Sequence, residues 1–371
     1  MKKRQIALFV LLILILTVFS CSKKTTEPDN QQTVATPSFN PPEGTYNKVQ
    51  NIDINCATSG ATIRYTTDGS DPTANSAEYS SPIIVSVTTT LKARAFKDGW
   101  KPSNVSSTTY TIEISHAEMV LVPGGTFTMG DTGGEGSSSE HPTHSVTLNS
   151  FYLGKYEVTQ SEWIDLMGSW DSDPNNLGET YGVGATYPVY YVTWSAILNY
   201  CNLRSLAEGL TPCYNINPMW NTVICNWGAN GYRLPTESEW EYAARSATNT
   251  PDYLYSGSDY IDAVAWYGGN NSSNGCKPVG TKAPNGLGLY DMSGNLWEWC
   301  WDMYGAYNSF PSSNPTGPEY ANDRLRVERG GSWNYSASTC RVSSRYFFDI
   351  GYSSKLIGFR LCRAAQGVSS K

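Results

Sequence analysis

Residues Arg329 to Cys340 read RGGSWNYSASTC, and their types could do chemistry. The stretch has the make-up of an active-site segment: a glycine pair, then Ser332, an aromatic and Cys340. A redox pair would place a second thiol five residues before Cys340, and that position holds Tyr335. Cys340 alone is a candidate nucleophile, since thiolate is the reactive form of cysteine. However, no histidine stands near it in sequence, and Asn334 and Ser336 are weak activators. The segment therefore suits either a catalyst or a catalytic fold turned into a binding surface.

The continuation favours binding. From Asn334 to Ile357 the chain reads NYSASTCRVSSRYFFDIGYSSKLI. Tyr335, Tyr346, Phe347, Phe348 and Tyr352 are interleaved with Ser336, Ser338, Ser343, Ser344, Ser353 and Ser354. Aromatics give contact area at low entropy cost and serines give adaptable hydrogen bonds, which is the chemistry of a binding loop. The plainer alternative is that the aromatics pack inward, Phe347 and Phe348 above all.

The remaining composition narrows the class. The 371 residues suffice for two domains. A net charge of −7 with no basic face argues against a nucleic-acid partner. Abundant Gly, Tyr and Trp with only 16% charged residues suit a loop-rich extracellular fold. The histidines are His116, His141 and His144, and no cysteine spacing is CxxC, which argues against zinc. His141 and His144 are close enough to share a ligand, but they read as exposed loop residues.

Residues 1–20 carry a basic start and an apolar run shorter than the roughly 20 residues a span needs. They read as a secretory signal peptide. VFSC resembles a bacterial lipobox, which makes Cys21 the expected lipid-bearing residue and membrane anchor, followed by a flexible tether over 21–36. Export sets an oxidising context in which some of the other cysteines are expected to pair. Cys213 with Cys225, bracketing one loop, and Cys201 with Cys362, joining a helix to the last strand, are the candidates. Sequence leaves the connectivity open.

Two folded units must position these residues. In 37–115, ATIRYTTDGSDPT and TTLKARAFKDGW alternate apolar and polar residues into Asp-Gly turns, predicting a small β-sandwich. In 118–366, MVLVPGGTFTMG predicts two strands. Thr159 with Glu162 and Thr236 with Glu239 predict capped helices. VTWSAILNYCNLRSLAEG carries Ala196, Ile197, Tyr200, Leu203 and Leu206 at helical spacing. Strands are expected near LWEWCWDM, RVERGGSW and IGFRLCRA. The second unit is thus α+β, helices on a twisted antiparallel sheet.

Two family resemblances follow from these motifs. YTTDGSDPT resembles the C-terminal module of chitobiase and β-hexosaminidase, an immunoglobulin-like spacer. PGGTFTMG, YEVTQSEW, GYRLPTESEWEYAAR, GLGLYDMSGNLWEW, RGGSW and GFRL occur in the order typical of the formylglycine-generating (sulfatase-modifying factor) family, whose fold is a variant of the C-type lectin. The resemblance implies that Ser332 matches the family serine and Cys340 the second of two thiols that bind copper(I) and oxidise a substrate cysteine. Paired soft thiolates hold Cu(I), and the phenol at Tyr335 cannot replace one of them. It also implies a structural calcium on Asp291 and Glu298 side chains with Gly294 and Leu296 carbonyls. The final segment further resembles the variable proteins of diversity-generating retroelements, in which such residues line a ligand-binding face.

The sequence leads to an exported, lipid-anchored protein whose distal lectin-like domain binds an extracellular protein or glycan without catalysis. Tyr335, Ser336, Ser338, Tyr346, Phe347, Asp349 and Tyr352 are its expected contacts. The rival is an oxidoreductase of the formylglycine-generating type, with Ser332 and Cys340 catalytic and Cys300 or Cys362 as a displaced second thiol. A third reading is a purely structural envelope protein with the aromatic segment buried.

Overall fold

The computed structural model describes residues 31–113, 117–172, 174, 181–217, 222–248, 251–271, 275–318 and 322–365. The expected signal peptide, Cys21, the first part of the tether and His116 lie outside the described residues.

The N-terminal unit is all-β. Ser38–Asn40, Gln50–Asn55 and Ile83–Val85 form one sheet. Gly44–Tyr46, Ser106–Ile112, Thr89–Phe96, Thr62–Thr66 and Ala77–Glu78 lie in that order in a second. Strict alternation along Thr89–Phe96 buries Leu91, Ala93 and Ala95. Ile52, Val85, Leu91, Tyr110 and Ile112 make the shared core. The Asp-Gly turn is set by Asp68, whose Oδ1 accepts from the Ser70 backbone N at 3.0 Å.

In the second unit the three expected helices form. Thr159 caps Gln160–Met167 and Thr236 caps Glu237–Ala244, each in a complete capping box with the glutamate three residues on. Thr193 caps Trp194–Ala207, which buries Trp194, Ile197, Leu198, Tyr200 and Cys201. Leu206, expected on that apolar face, is exposed instead, and Arg204 is buried with its Nε 2.6 Å from Glu208.

A four-stranded sheet lies at the centre, in the order Arg345–Asp349, Leu325–Arg329, Trp297–Met303, Ile357–Gly358. Pleating sends Trp297, Trp299 and Trp301 to one face and Glu298, Cys300 and Asp302 to the other. The tryptophan face packs with Trp194, Ile197 and Tyr200 of the long helix and with Phe359. The opposite face packs with Trp240, Tyr242 and Val327. A second sheet places Phe151–Gly154 between Cys362–Ala364 and Met119–Val122, bringing the start and end of the domain together. Ser106–Ile112 pairs within the N-terminal unit, so the second unit begins after that strand.

Candidate functional site

The RGGSW segment is fixed from behind by buried ion pairs. Glu237 and Glu241 project from one helix toward Arg329 and Arg345. Arg345 donates to both Glu237 oxygens at 2.7 Å, and Arg329 Nε donates to Glu237 at 3.1 Å. Arg329 also holds Glu241. Burial would raise the Glu237 carboxyl, but the two guanidinium groups outweigh it and lower its pKa. Remaining guanidinium protons go to the Val342 and Ser344 carbonyls at 2.9 Å, so the chain on both sides of Cys340 is tied to one anchor. Nearby, Asp302 is raised to about 8 by burial and the adjacent Glu237.

Two backbone bonds complete the frame: Gly294 N donates to Gly330 O and Trp333 N to Asn295 O, both 2.8 Å. Ser332 is fully buried beside them, and its Oγ has no hydrogen-bond partner.

Cys340 is also fully buried, its Sγ directed at the Ser336 carbonyl 3.8 Å away. Gly331, at φ +74°, packs on it so closely that a Cβ would lie 2.6 Å from Sγ. Burial pushes the thiol up to about 12, leaving negligible thiolate near neutral pH. Among the described residues no second cysteine joins it. Cys300 and Cys362 pack in the cluster around Trp240, whereas Cys340 packs with Tyr255 and Val264. Cys362 Sγ instead faces Glu239 Oε2 at 3.6 Å. The residues present do not fit a copper(I) pair.

The eight described cysteines are all free. The expected Cys201–Cys362 and Cys213–Cys225 pairs stand as unbridged thiols, with Cys362 Sγ facing Glu239 and Cys213 donating to the Gly231 carbonyl at 3.2 Å.

The expected calcium ligands meet a competing cation. Arg360 holds both Glu298 oxygens at 2.6 Å, and Trp240 Nε1 donates to the same carboxylate at 2.8 Å. Asp291 Oδ2 accepts from Gly280 N at 2.7 Å, and Leu296 N donates to Glu157 Oε1 at 2.9 Å. Burial raises Asp291 to about 6, and burial with the neighbouring acids raises Glu157 well above the usual range. Arranged this way, Asp291, Gly294, Leu296 and Glu298 do not fit a calcium ion. No group of three or more metal-ligating acids, histidines or thiols is found among the described residues.

The expected binding residues divide. Tyr335 and Tyr346 both contact Trp297, each at 5.8 Å between ring centroids, Tyr335 edge-on at 82°. Tyr346 reaches Phe348 at 5.3 Å, and Phe348 stacks on Tyr352 at 4.4 Å. Tyr346 and Tyr352 remain 44% and 43% exposed, so this is an aromatic face open to solvent, not an inward-packed segment. Ser336 and Ser338 stand exposed on the turn beyond Tyr335, their hydroxyls 2.8 Å apart. Phe347 alternates to the other side of the strand, against Tyr304 at 4.3 Å, while its ring also stacks beside Tyr346 at 5.7 Å at the margin of the face. Asp349 is spent on Arg324 in a two-point pair at 2.6 and 2.7 Å. The Tyr335 carbonyl accepts from Gly268 N at 2.7 Å, where a Cβ on Gly268 would meet that oxygen at 2.8 Å.

One residue beneath the face escaped the sequence reading. Glu328 is paired in register with Trp299 on one side and Tyr346 on the other, which places its side chain on the tryptophan face. It is fully buried, and neither carboxyl oxygen has a hydrogen-bond partner. Burial alone raises its pKa well above the usual carboxylate range. The indole N–H groups of Trp297 and Trp299 likewise lack acceptors.

Fold and site together define a formylglycine-generating-type, C-type-lectin-like domain behind an all-β module. Residues 106–365 match the sulfatase-modifying factor enzyme 1-like domain, and the chain belongs to that family. Residues 41–115 match the chitobiase/β-hexosaminidase C-terminal domain. The chain is similar to the chaperone protein LppX of Paenibacillus barcinonensis, with 38% identity over 67% of this chain and 89% of that protein. It is 31% identical to the formylglycine-generating enzyme of Streptomyces coelicolor, over 66% of this chain and 89% of the enzyme. Among solved structures it resembles Treponema denticola variable protein 1, with a TM-score of 0.60 and 32% identity, covering 69% of this chain and 98% of that one.

Proposed function

We propose that the protein is an exported, lipid-anchored receptor whose lectin-like domain binds an extracellular protein or glycan through Tyr335, Tyr346 and Tyr352, without catalysis. The observation that carries this reading is the replacement of a thiol pair by an open aromatic face. Tyr335 stands at the first thiol's place and leans on Trp297, while Cys340 is sealed from solvent as a neutral thiol. Aromatic rings held on a rigid sheet and flanked by Ser336 and Ser338 supply contact area and adaptable hydrogen bonds with little ordering cost. The likeness to Treponema denticola variable protein 1 accords with the resemblance of the final segment to variable proteins and supports the reading of this face as a binding surface.

Titration of the reduced full chain with Cu(I), beside a Cys340→Ala control, tests the reading. No Cys340-dependent binding is expected. Tight stoichiometric uptake that the control abolishes would overturn it and restore the formylglycine-generating reaction on an exported sulfatase. On the binding side, Tyr346→Ala and Tyr352→Ala should abolish retention of the full chain on arrayed extracellular proteins or glycans.

A further inference from the structure

We propose that the aromatic face takes a primary ammonium group, the side chain of a lysine on a protein ligand, with Glu328 as its anionic partner beneath Tyr335 and Tyr346. The inference rests on the binding reading above and narrows it to a ligand chemistry.

Glu328 is an anomaly that the fold itself does not resolve. A buried carboxyl normally has donors or a cation beside it, because an unsatisfied buried polar group costs stability. The other fully buried acids of this sheet region are provided for: Glu237 and Glu241 have Arg329, and Glu298 has Arg360. Both oxygens of Glu328 lack any partner. The cation on the same face of its own strand, Arg326, lies over the rings of Trp194 and Trp301, 4.3 and 5.5 Å from their centroids, and adjacent Arg329 faces the other side, toward Glu237 and Glu241. No charged group contributes to the Glu328 titration, which burial alone governs. The titratable groups facing it are the phenols: Tyr346 across the strand pair, and Tyr335, whose own pKa is raised by burial, then by Tyr346 and Tyr352, then by Glu328.

What lies above the carboxyl suits a cation. Tyr335 and Tyr346 each lie 5.8 Å from Trp297 between ring centroids, and aromatic ring faces attract a cation brought within about 6 Å of them. The choice of a primary ammonium follows from the oxygens. Two unpartnered acceptors need donors, and a lysine ammonium carries three, whereas a quaternary ammonium carries none. A lysine also has a methylene stem that can lie along apolar rings while its head meets the acid. Tyr346, 44% exposed, is the outermost ring and the one whose rotation would admit the stem. In the free protein Glu328 holds its proton, and docking of the ammonium releases that proton and leaves a charge-assisted hydrogen bond.

The test uses the full chain and two probes, Nα-acetyl-lysine methylamide and its norleucine counterpart, read by tryptophan fluorescence. The lysine probe is expected to bind at least about tenfold more tightly, the scale of a hydrogen bond to a charged group. Its affinity should rise with pH between 6 and 8, because the acid must give up its proton. Glu328→Gln should abolish both the preference and the pH dependence; Glu328→Met serves the same comparison should the amide variant not fold. Equal binding of both probes, lost in Tyr346→Ala, would overturn the ammonium assignment while leaving the aromatic face as a binding surface. A preference that survives in Glu328→Gln, or no binding of either probe, would also overturn it, and the receptor reading would then stand or fall on the array and Cu(I) measurements.

Discussion

Replacing Glu328 with glutamine will flatten part of the pH dependence of stability, and the size of the effect follows from where the side chain sits. Burial without a partner holds its folded pKa well above the ordinary carboxylate value, whereas in the unfolded chain it returns to about 4.3. Between those two values the folded state carries one more proton than the unfolded state. Stability from this group is therefore complete below the unfolded pKa and is lost as pH rises toward the folded one. The slope is at most about 1.4 kcal/mol per pH unit, so pH 5 to pH 7 removes up to about 2.7 kcal/mol. Glutamine has no such proton. Urea unfolding of the wild type and Glu328→Gln at pH 5, 6 and 7 measures the difference, and the other titrating groups cancel in it. The wild type should lose ground steadily relative to the variant. Parallel stabilities across this range would show that Glu328 is solvated or paired in solution, and the reasoning would be wrong.

Three further outcomes follow from the same geometry. Arg360→Met removes the partner of Glu298 in a region that also holds buried Glu157 and Asp291; a loss of about 3–5 kcal/mol is expected in urea unfolding. Alkylation of the native protein at pH 8, read by mass spectrometry, should leave Cys340 unmodified while the half-buried Cys56 reacts, since burial suppresses both the thiolate and its access. Gly268→Ala drives a methyl against the Tyr335 carbonyl; it should cost about 1–3 kcal/mol and weaken ligand binding by displacing Tyr335.

Local signals in the sequence were enough for the helices and poor for the site. Thr159 with Glu162, and Thr236 with Glu239, are complete capping boxes because every partner lies within three residues. The alternation in WEWCWDM likewise gives the two faces of the central strand. Contacts set by distant partners stayed hidden. Glu298 reads as a metal ligand until Arg360 is seen beside it, 62 residues along the chain. Phe347 reads as a neighbour of Tyr346 in sequence, yet a strand period of two sends it to the opposite face. Asp349 looked free for a ligand because nothing local announces Arg324 across the strand pair. Glu328 was the hardest to see. In RVERGGSW it alternates with Val327 as a solvent-facing acid would, and only the packing of Trp299 and Tyr346 on either side encloses it. Tyr335 was legible from its place in the RGGSW segment, but its rest on Trp297 was not.

The anchoring of the RGGSW segment has one more consequence. Its backbone course is dictated by Arg329, by the bonds between Gly294 and Gly330 and between Asn295 and Trp333, and by the strand ladder from Leu325 to Asp349. None of these depends on the rings of Tyr335, Tyr346 or Tyr352. The course of the backbone is therefore set apart from the chemistry of the rings exposed on it. New side chains there would change the chemistry of the exposed surface along the same backbone, within the limits set by Trp297, against which Tyr335 and Tyr346 rest, and by Glu328, which Tyr346 helps enclose.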